Sequence, residues 1–90
     1  MLNLQLSKQF KKDYKKVVRQ GKDVDELWLV IEKLRKGEKL AAKYVDHPLA
    51  GNYKNHRECH ISPDWLLIYK IDKGKVVLTA VRTGSHSELY

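Results

Sequence analysis

The stretch WLLIYKI, residues 65–71, constrains the fold of this chain more than any other. It is nearly continuous in apolar residues, the pattern of a strand covered on both faces. Such a strand needs neighbours in a sheet and a layer packed upon that sheet. Turn signals bracket it: Ser62-Pro63-Asp64 before and Asp72-Lys73-Gly74 after, with further strand candidates at 53–61 and 75–82. Short turns between successive strands make an antiparallel meander the simple arrangement.

The first third of the chain supplies the layer. Leu2, Leu4 and Leu6 alternate with polar residues, as in a short half-buried strand. Ser7 is placed to cap a helix over 8–20, whose Phe10, Tyr14, Val17 and Val18 form one apolar stripe. Gly21 ends it. Asp23 and Glu26 have the spacing of a capping box and open a second helix over 24–36, with Leu27, Val30, Ile31 and Leu34 as its stripe and Gly37 beyond its end. Trp28 reads as a residue at the core edge and Tyr14 as a core aromatic. Residues 38–52, with DHPLAG, read as a loop. Ser85 and Glu88 again have cap spacing, for one closing helical turn. Ninety residues hold one core. The expected fold class is therefore α+β in a single domain, 1–90: an N-terminal strand, then a two-helix hairpin packed on a mainly antiparallel sheet.

Composition narrows the setting. Apolar residues are 42% of the chain, which excludes wholesale disorder. No run approaches the roughly 18 apolar residues of a membrane span. MLNLQLSKQF lacks the basic-then-apolar order of a signal peptide. The single cysteine, Cys59, cannot form an internal disulfide, which fits a reducing, cytoplasmic setting. The net charge is +7, and Lys8, Lys11, Lys12, Lys15, Lys16, Arg19 and Lys22 against Asp13 account for +6 of it. A basic stripe on one helix is either a solvated face or a surface for a polyanion, whether nucleic acid or an acidic protein segment.

The stretch HRECHISPDW, residues 56–65, carries the reactive groups. Strand alternation sends His56, Glu58 and His60 to one face and Arg57, Cys59 and Ile61 to the other. With Cys59 and Ile61 against the helices, the first three are expected on the uncovered face. A zinc site lacks support, because adjacent Cys59 and His60 cannot ligate one ion and no paired-ligand spacing occurs; His47, His60 and His86 are the remaining combination, without a signature. Cys59, in a strand centre facing the core, reads as a packed thiol rather than a nucleophile. General acid–base chemistry is the third possibility. Imidazoles, with an ordinary pKa of about 6.5, can move both protons of a transesterification. Glu58 or Asp64 can act as base or orient a ring, and Arg82 can stabilise charge on a phosphoryl group. Four surface histidines without a task are the alternative.

YVDHPLAGNYKNHRECHISPDWLLIYKI followed by VRTGSHSELY resembles the YafQ branch of the RelE superfamily, the ribosome-dependent mRNA-cleaving toxins of bacterial toxin–antitoxin pairs. The resemblance covers the chain from end to end and is sharpest in three ordered motifs, D-H-P-L, R-[DE]-x-H-x-x-P-D-W/L and R-x-G-[ST]-H. It implies His47, His60, Asp64 and His86 as active-site residues, Arg82 near the scissile phosphate, and Trp65 and Tyr90 as aromatics that stack on or position a nucleotide. Glu58 stands where other members carry Asp, and Tyr90 where Phe is usual. The implied reaction is attack of an mRNA 2′-hydroxyl on its own phosphodiester, with no metal or cofactor. Asp64 with His60 or His47 would serve as base and positioning groups, and His86 as the acid. Implied partners are the ribosome with its rRNA, mRNA, a DinJ-type ribbon-helix-helix antitoxin, and operator DNA indirectly through the antitoxin complex. Lys11, Lys12, Lys15 and Lys16 would grip RNA phosphates or the antitoxin. A basic RNA- or DNA-binding module, or a degenerate toxin that only binds its antitoxin, is the competing reading.

Overall fold

The computed structural model describes all ninety residues. Five strands and three helices follow in the order β1 (Asn3–Leu6), α1 (Lys8–Arg19), α2 (Val24–Arg35), β2 (His47–Pro48), β3 (Arg57–Ser62), β4 (Trp65–Asp72), β5 (Val77–Gly84) and α3 (His86–Leu89). Single 3₁₀ turns at Ala42–Tyr44 and Gly51–Tyr53 flank β2. The sheet order is β1-β5-β4-β3-β2. β3, β4 and β5 form the expected meander, and β1 runs parallel to β5 at its edge. None of the helices is long and apolar enough to cross a membrane.

Local chemistry accounts for most of these boundaries. Ser7 caps α1, accepting from the Phe10 amide at 2.9 Å while its own hydroxyl donates to the Val81 carbonyl at 2.6 Å. That second bond fastens the helix start to β5. Gly21 and Gly37 take φ of +73° and +76° just beyond the two helices, a conformation that favours glycine. The Asp23 cap does not form: its side chain makes no bond to the helix amides, and Glu26 instead accepts from the Tyr44 hydroxyl at 2.6 Å. Val18 is also corrected. It is 51% exposed, because at about 100° per residue it lies a quarter turn past Val17, which is buried.

The two faces of the sheet carry unequal cores. Helices α1 and α2 bury Phe10, Val17, Leu27, Val30 and Ile31 against Cys59, Leu67, Tyr69, Leu78 and Ala80. On the opposite face Leu66, Ile68 and Leu89 form a smaller cluster, flanked by Leu49, Tyr53 and Val81. β4 is thus covered on both sides from Trp65 to Tyr69, as its composition requires. The second face, expected to be open, is roofed by α3 and by the segment around β2.

Candidate active site

Strand register assembles the polar groups on that second face. Residues directly opposite in an antiparallel pair point the same way. His47 lies opposite Glu58, Glu58 opposite Ile68, and Ile68 opposite Arg82. His47, Glu58 and Arg82 therefore share a face with His60, two residues along β3. The His47 and His60 rings stand 6.1 Å apart, and His60 Nε2 is 3.7 Å from the Glu58 carboxylate. Strand alternation puts Glu58 in the open, yet it is only 3% exposed. It is covered because the Tyr90 hydroxyl donates to it at 2.6 Å. Desolvation of the hydroxyl, and then that bond, push the Tyr90 phenol above its ordinary value, so it remains a donor.

The second half of the site is built by α3. Ser85 accepts from the Glu88 amide and Glu88 accepts from the Ser85 amide, a full capping box. The single turn brings His86 to 5.2 Å from the Tyr90 ring. Asp64, exposed in the β3–β4 turn, accepts from the His86 backbone amide at 3.3 Å and so holds the start of α3. Tyr53, which no sequence motif marks, meets Tyr90 edge-on at 5.9 Å and His56 at 5.7 Å. His56 precedes β3 rather than lying within it, and its Nδ1 faces the Lys54 carbonyl at 3.1 Å.

Arg82 does not stand free. Its Nε and Nη2 donate to the Asp13 carboxylate of α1 at 2.8 and 3.3 Å, and this pairing raises its pKa further. Asp13 also accepts from the Thr83 amide and from Gln9. Trp65 is a correction to the resemblance. It is 3% exposed in the helix-side core, its indole N–H donates to Thr83 Oγ at 2.8 Å, and Lys22 lies over its ring. No ring face is open there for a nucleotide, whereas Tyr90 is 57% exposed. Cys59 is fully buried, and burial pushes its thiol up to about 12.

His47 is held by its own loop. Its Nδ1 lies 2.6 Å from the Val45 carbonyl. Val45 has φ of +47°, an outlier for a β-branched residue that costs about 1–2 kcal/mol. Its side chain is exposed, so packing does not offset that cost. The flanks impose it: Tyr44 is buried and bonded to Glu26, and Asp46 accepts from the Tyr69 hydroxyl and from Arg57. Asp46 opens the D-H-P-L motif, but the motif by itself assigns it no role.

Lys11, Lys12, Lys15 and Lys16 are all exposed on α1. Lys16 pairs with Glu88 of α3, so the basic stripe reaches the rim of the site. The bond from Lys16, then those from Ser85, hold the Glu88 carboxyl down at about 2.

No three His, Cys, Asp or Glu side chains converge in a cation-holding arrangement. The solved structure of a metal-bound toxin from Helicobacter pylori is nevertheless 49% identical, with a TM-score of 0.95 over all of both chains. The side chains gathered here can accept, donate and position protons. The E. coli DinJ–YafQ toxin–antitoxin complex contains a chain 37% identical, matching at a TM-score of 0.89 over 99% of this chain and 97% of that one. The mRNA interferase toxin YafQ of Escherichia coli K12 is 39% identical over 90 residues, 98% of this chain and 95% of the relative. The family model for the bacterial toxin of type II toxin–antitoxin systems, YafQ, matches residues 2–90. With His47, His60, Asp64 and His86 gathered at one end of the sheet, this chain belongs to the YafQ family of bacterial toxins.

Proposed function

We propose that the chain is an endoribonuclease toxin that cuts translated mRNA on the ribosome by metal-independent acid–base catalysis. The observation that carries this reading is the convergence of His47, His60, Glu58, Tyr90, His86 and Asp64 on one polar surface. His86 stands 5.2 Å from the Tyr90 ring, and Glu58, beside His60, accepts from the Tyr90 hydroxyl, so groups able to take and to give a proton neighbour one aromatic.

The 2′-oxygen forms a bond to phosphorus as its proton passes to a base, His47 or His60, with Asp64 in a positioning part. The bond from phosphorus to the 5′-oxygen breaks as His86 protonates the leaving oxygen. The products are a 2′,3′-cyclic phosphate and a 5′-hydroxyl. Arg82, anchored by Asp13, keeps its charge and offers the rest of its guanidinium to the phosphoryl oxygens. Glu58 is buried and engaged by Tyr90, which suits it to placing His60 and the Tyr90 ring rather than to meeting substrate. The Tyr90 ring, with Tyr53 at its edge, is the stacking surface for a base.

The likeness to the DinJ–YafQ complex supports a DinJ-type ribbon-helix-helix antitoxin as the neutralising partner, with operator DNA bound through that antitoxin. The α1 lysines suit rRNA phosphates. A bacterial cytoplasm is the corresponding site of action.

The test is inducible expression in bacteria of the wild-type chain and His86→Ala, with mapping of mRNA 5′ ends. His86 is exposed, so its truncation leaves the fold intact. The expected result is growth arrest with in-frame cuts from the wild type, and cleavage about 10²–10⁴-fold weaker in the variant. Equal cleavage by both would remove His86 as the acid. A folded, antitoxin-free wild type that binds RNA without new ends would leave a binding module instead.

A further inference from the structure

A carbonyl oxygen only accepts hydrogen bonds, so the 2.6 Å contact between His47 Nδ1 and the Val45 carbonyl requires the proton on Nδ1. In the neutral ring the other nitrogen, Nε2, is then an unprotonated acceptor. Val45, whose carbonyl meets Nδ1, adopts the left-handed conformation, which a valine does not choose by itself. On one side of that turn Tyr44 is buried under its bond to Glu26. On the other, Asp46 is tied to two strands at once, receiving the Tyr69 hydroxyl of β4 and two guanidinium nitrogens of Arg57 of β3. Both donors are firm: Arg57 is half-exposed and keeps its charge through its bonds to Asp46 and Tyr69, and burial with the bond to Asp46 pushes the Tyr69 phenol up.

We propose that Asp46 is a positioning residue which, through the Val45 turn, holds His47 as the tautomer with its proton on Nδ1 and its Nε2 free to accept a proton from substrate. This rests on the proposed acid–base reading of the site and deepens it. His47 becomes the group prepared to receive the 2′-hydroxyl proton. His60 becomes its neighbour, oriented by Glu58. Asp46 touches neither substrate nor the His47 ring; it acts through the backbone between them.

Long-range proton–nitrogen NMR of the histidine side chains reads the tautomer without any cleavage assay. At about pH 8.5, above the ordinary imidazole range, wild-type His47 is expected with a proton on Nδ1 and bare Nε2. Asp46→Ala should shift His47 towards the Nε2-protonated form, and Tyr69→Phe, which removes one of the two anchors, should shift it less. His56, whose Nδ1 faces the Lys54 carbonyl without help from Asp46, should not change and reports on general loosening. If Asp46→Ala fails to fold, Tyr69→Phe decides. A proton on Nε2 of wild-type His47 would overturn the proposal, as would an unshifted His47 in both variants. The tautomer is observed whether or not the chain cuts mRNA, so failure of the nuclease reading and failure of the positioning role are separate results.

Discussion

Asp13 is the one acid in a helix of lysines, and it is only 9% exposed. A carboxylate so placed is costly unless bonded, and this one accepts from Arg82, Thr83 and Gln9. Asp13→Ala should lower stability by about 1–3 kcal/mol by leaving the Thr83 amide without its partner and the Arg82 cation without its counter-charge. Asp13→Asn, which keeps an acceptor, should lose less; urea unfolding of both variants measures it, and equal losses would mean that the charge carries the whole contribution and the retained acceptor none. Cys59 gives a second prediction. With its thiol buried and pushed up to about 12, it should stay unmodified by a thiol reagent until the chain unfolds. Rapid labelling of the native protein would contradict its burial. Residue types and motif order mark His47, His60, Asp64 and His86 as candidates in the sequence alone. Asp13 and Tyr53 are not, and D-H-P-L marks Asp46 without its role, since their partners lie in other elements and no spacing along the chain announces a bond to Arg82 or Tyr69. Trp65 misleads for the complementary reason: a motif names a residue but does not say which side of a strand it faces.

Two elements with the same cap spacing differ in outcome. Ser85 and Glu88 close a full capping box, whereas Asp23 and Glu26 do not, because the Tyr44 hydroxyl claims Glu26. Local spacing foretells α3, and a tertiary partner overrules it at α2. The strand β2 is unreadable: two residues have no period, and Pro48 lacks the amide that would mark a ladder. The parallel seat of β1 beside β5 is likewise invisible, since it pairs the two ends of the chain. Because α3 is one turn long, its attachment depends on Glu88, whose carboxyl is held at about 2 against an ordinary 4.5 by Lys16 and then Ser85. A depressed carboxylate stabilises the fold above its unfolded pKa and loses that contribution as pH falls through its folded value. Stability should therefore decline as pH drops from about 4.5 towards 2. Glu88→Gln should flatten that part of the profile in thermal unfolding; an identical slope would mean that Glu88 is not the group responsible.

At the scale of the molecule the helices and the site meet along one seam. α1 packs on one face of the sheet, the reactive groups lie on the other, and the two are joined at Arg82–Asp13 and Lys16–Glu88. A polyanion lying along α1 would thus be led to the edge of the site. If that polyanion is RNA, each lysine that replaces a counterion steepens the fall of affinity with salt. Lys11, Lys12 and Lys15 are the ones to change, since Lys16 also secures α3. All three are exposed, so substitution to alanine should leave the fold and the tautomer of His47 untouched. The triple variant should bind ribosomes or RNA more weakly, with the slope of log affinity against log salt shallower by about 2–3. Its cleavage once bound should match the wild type, because none of the three approaches the reacting atoms. An unchanged slope together with weakened binding of an acidic antitoxin segment would instead assign the stripe to the antitoxin. Loss in both assays would mean that the two partners compete for one surface, so that the antitoxin neutralises the toxin by occupying the face it needs for RNA.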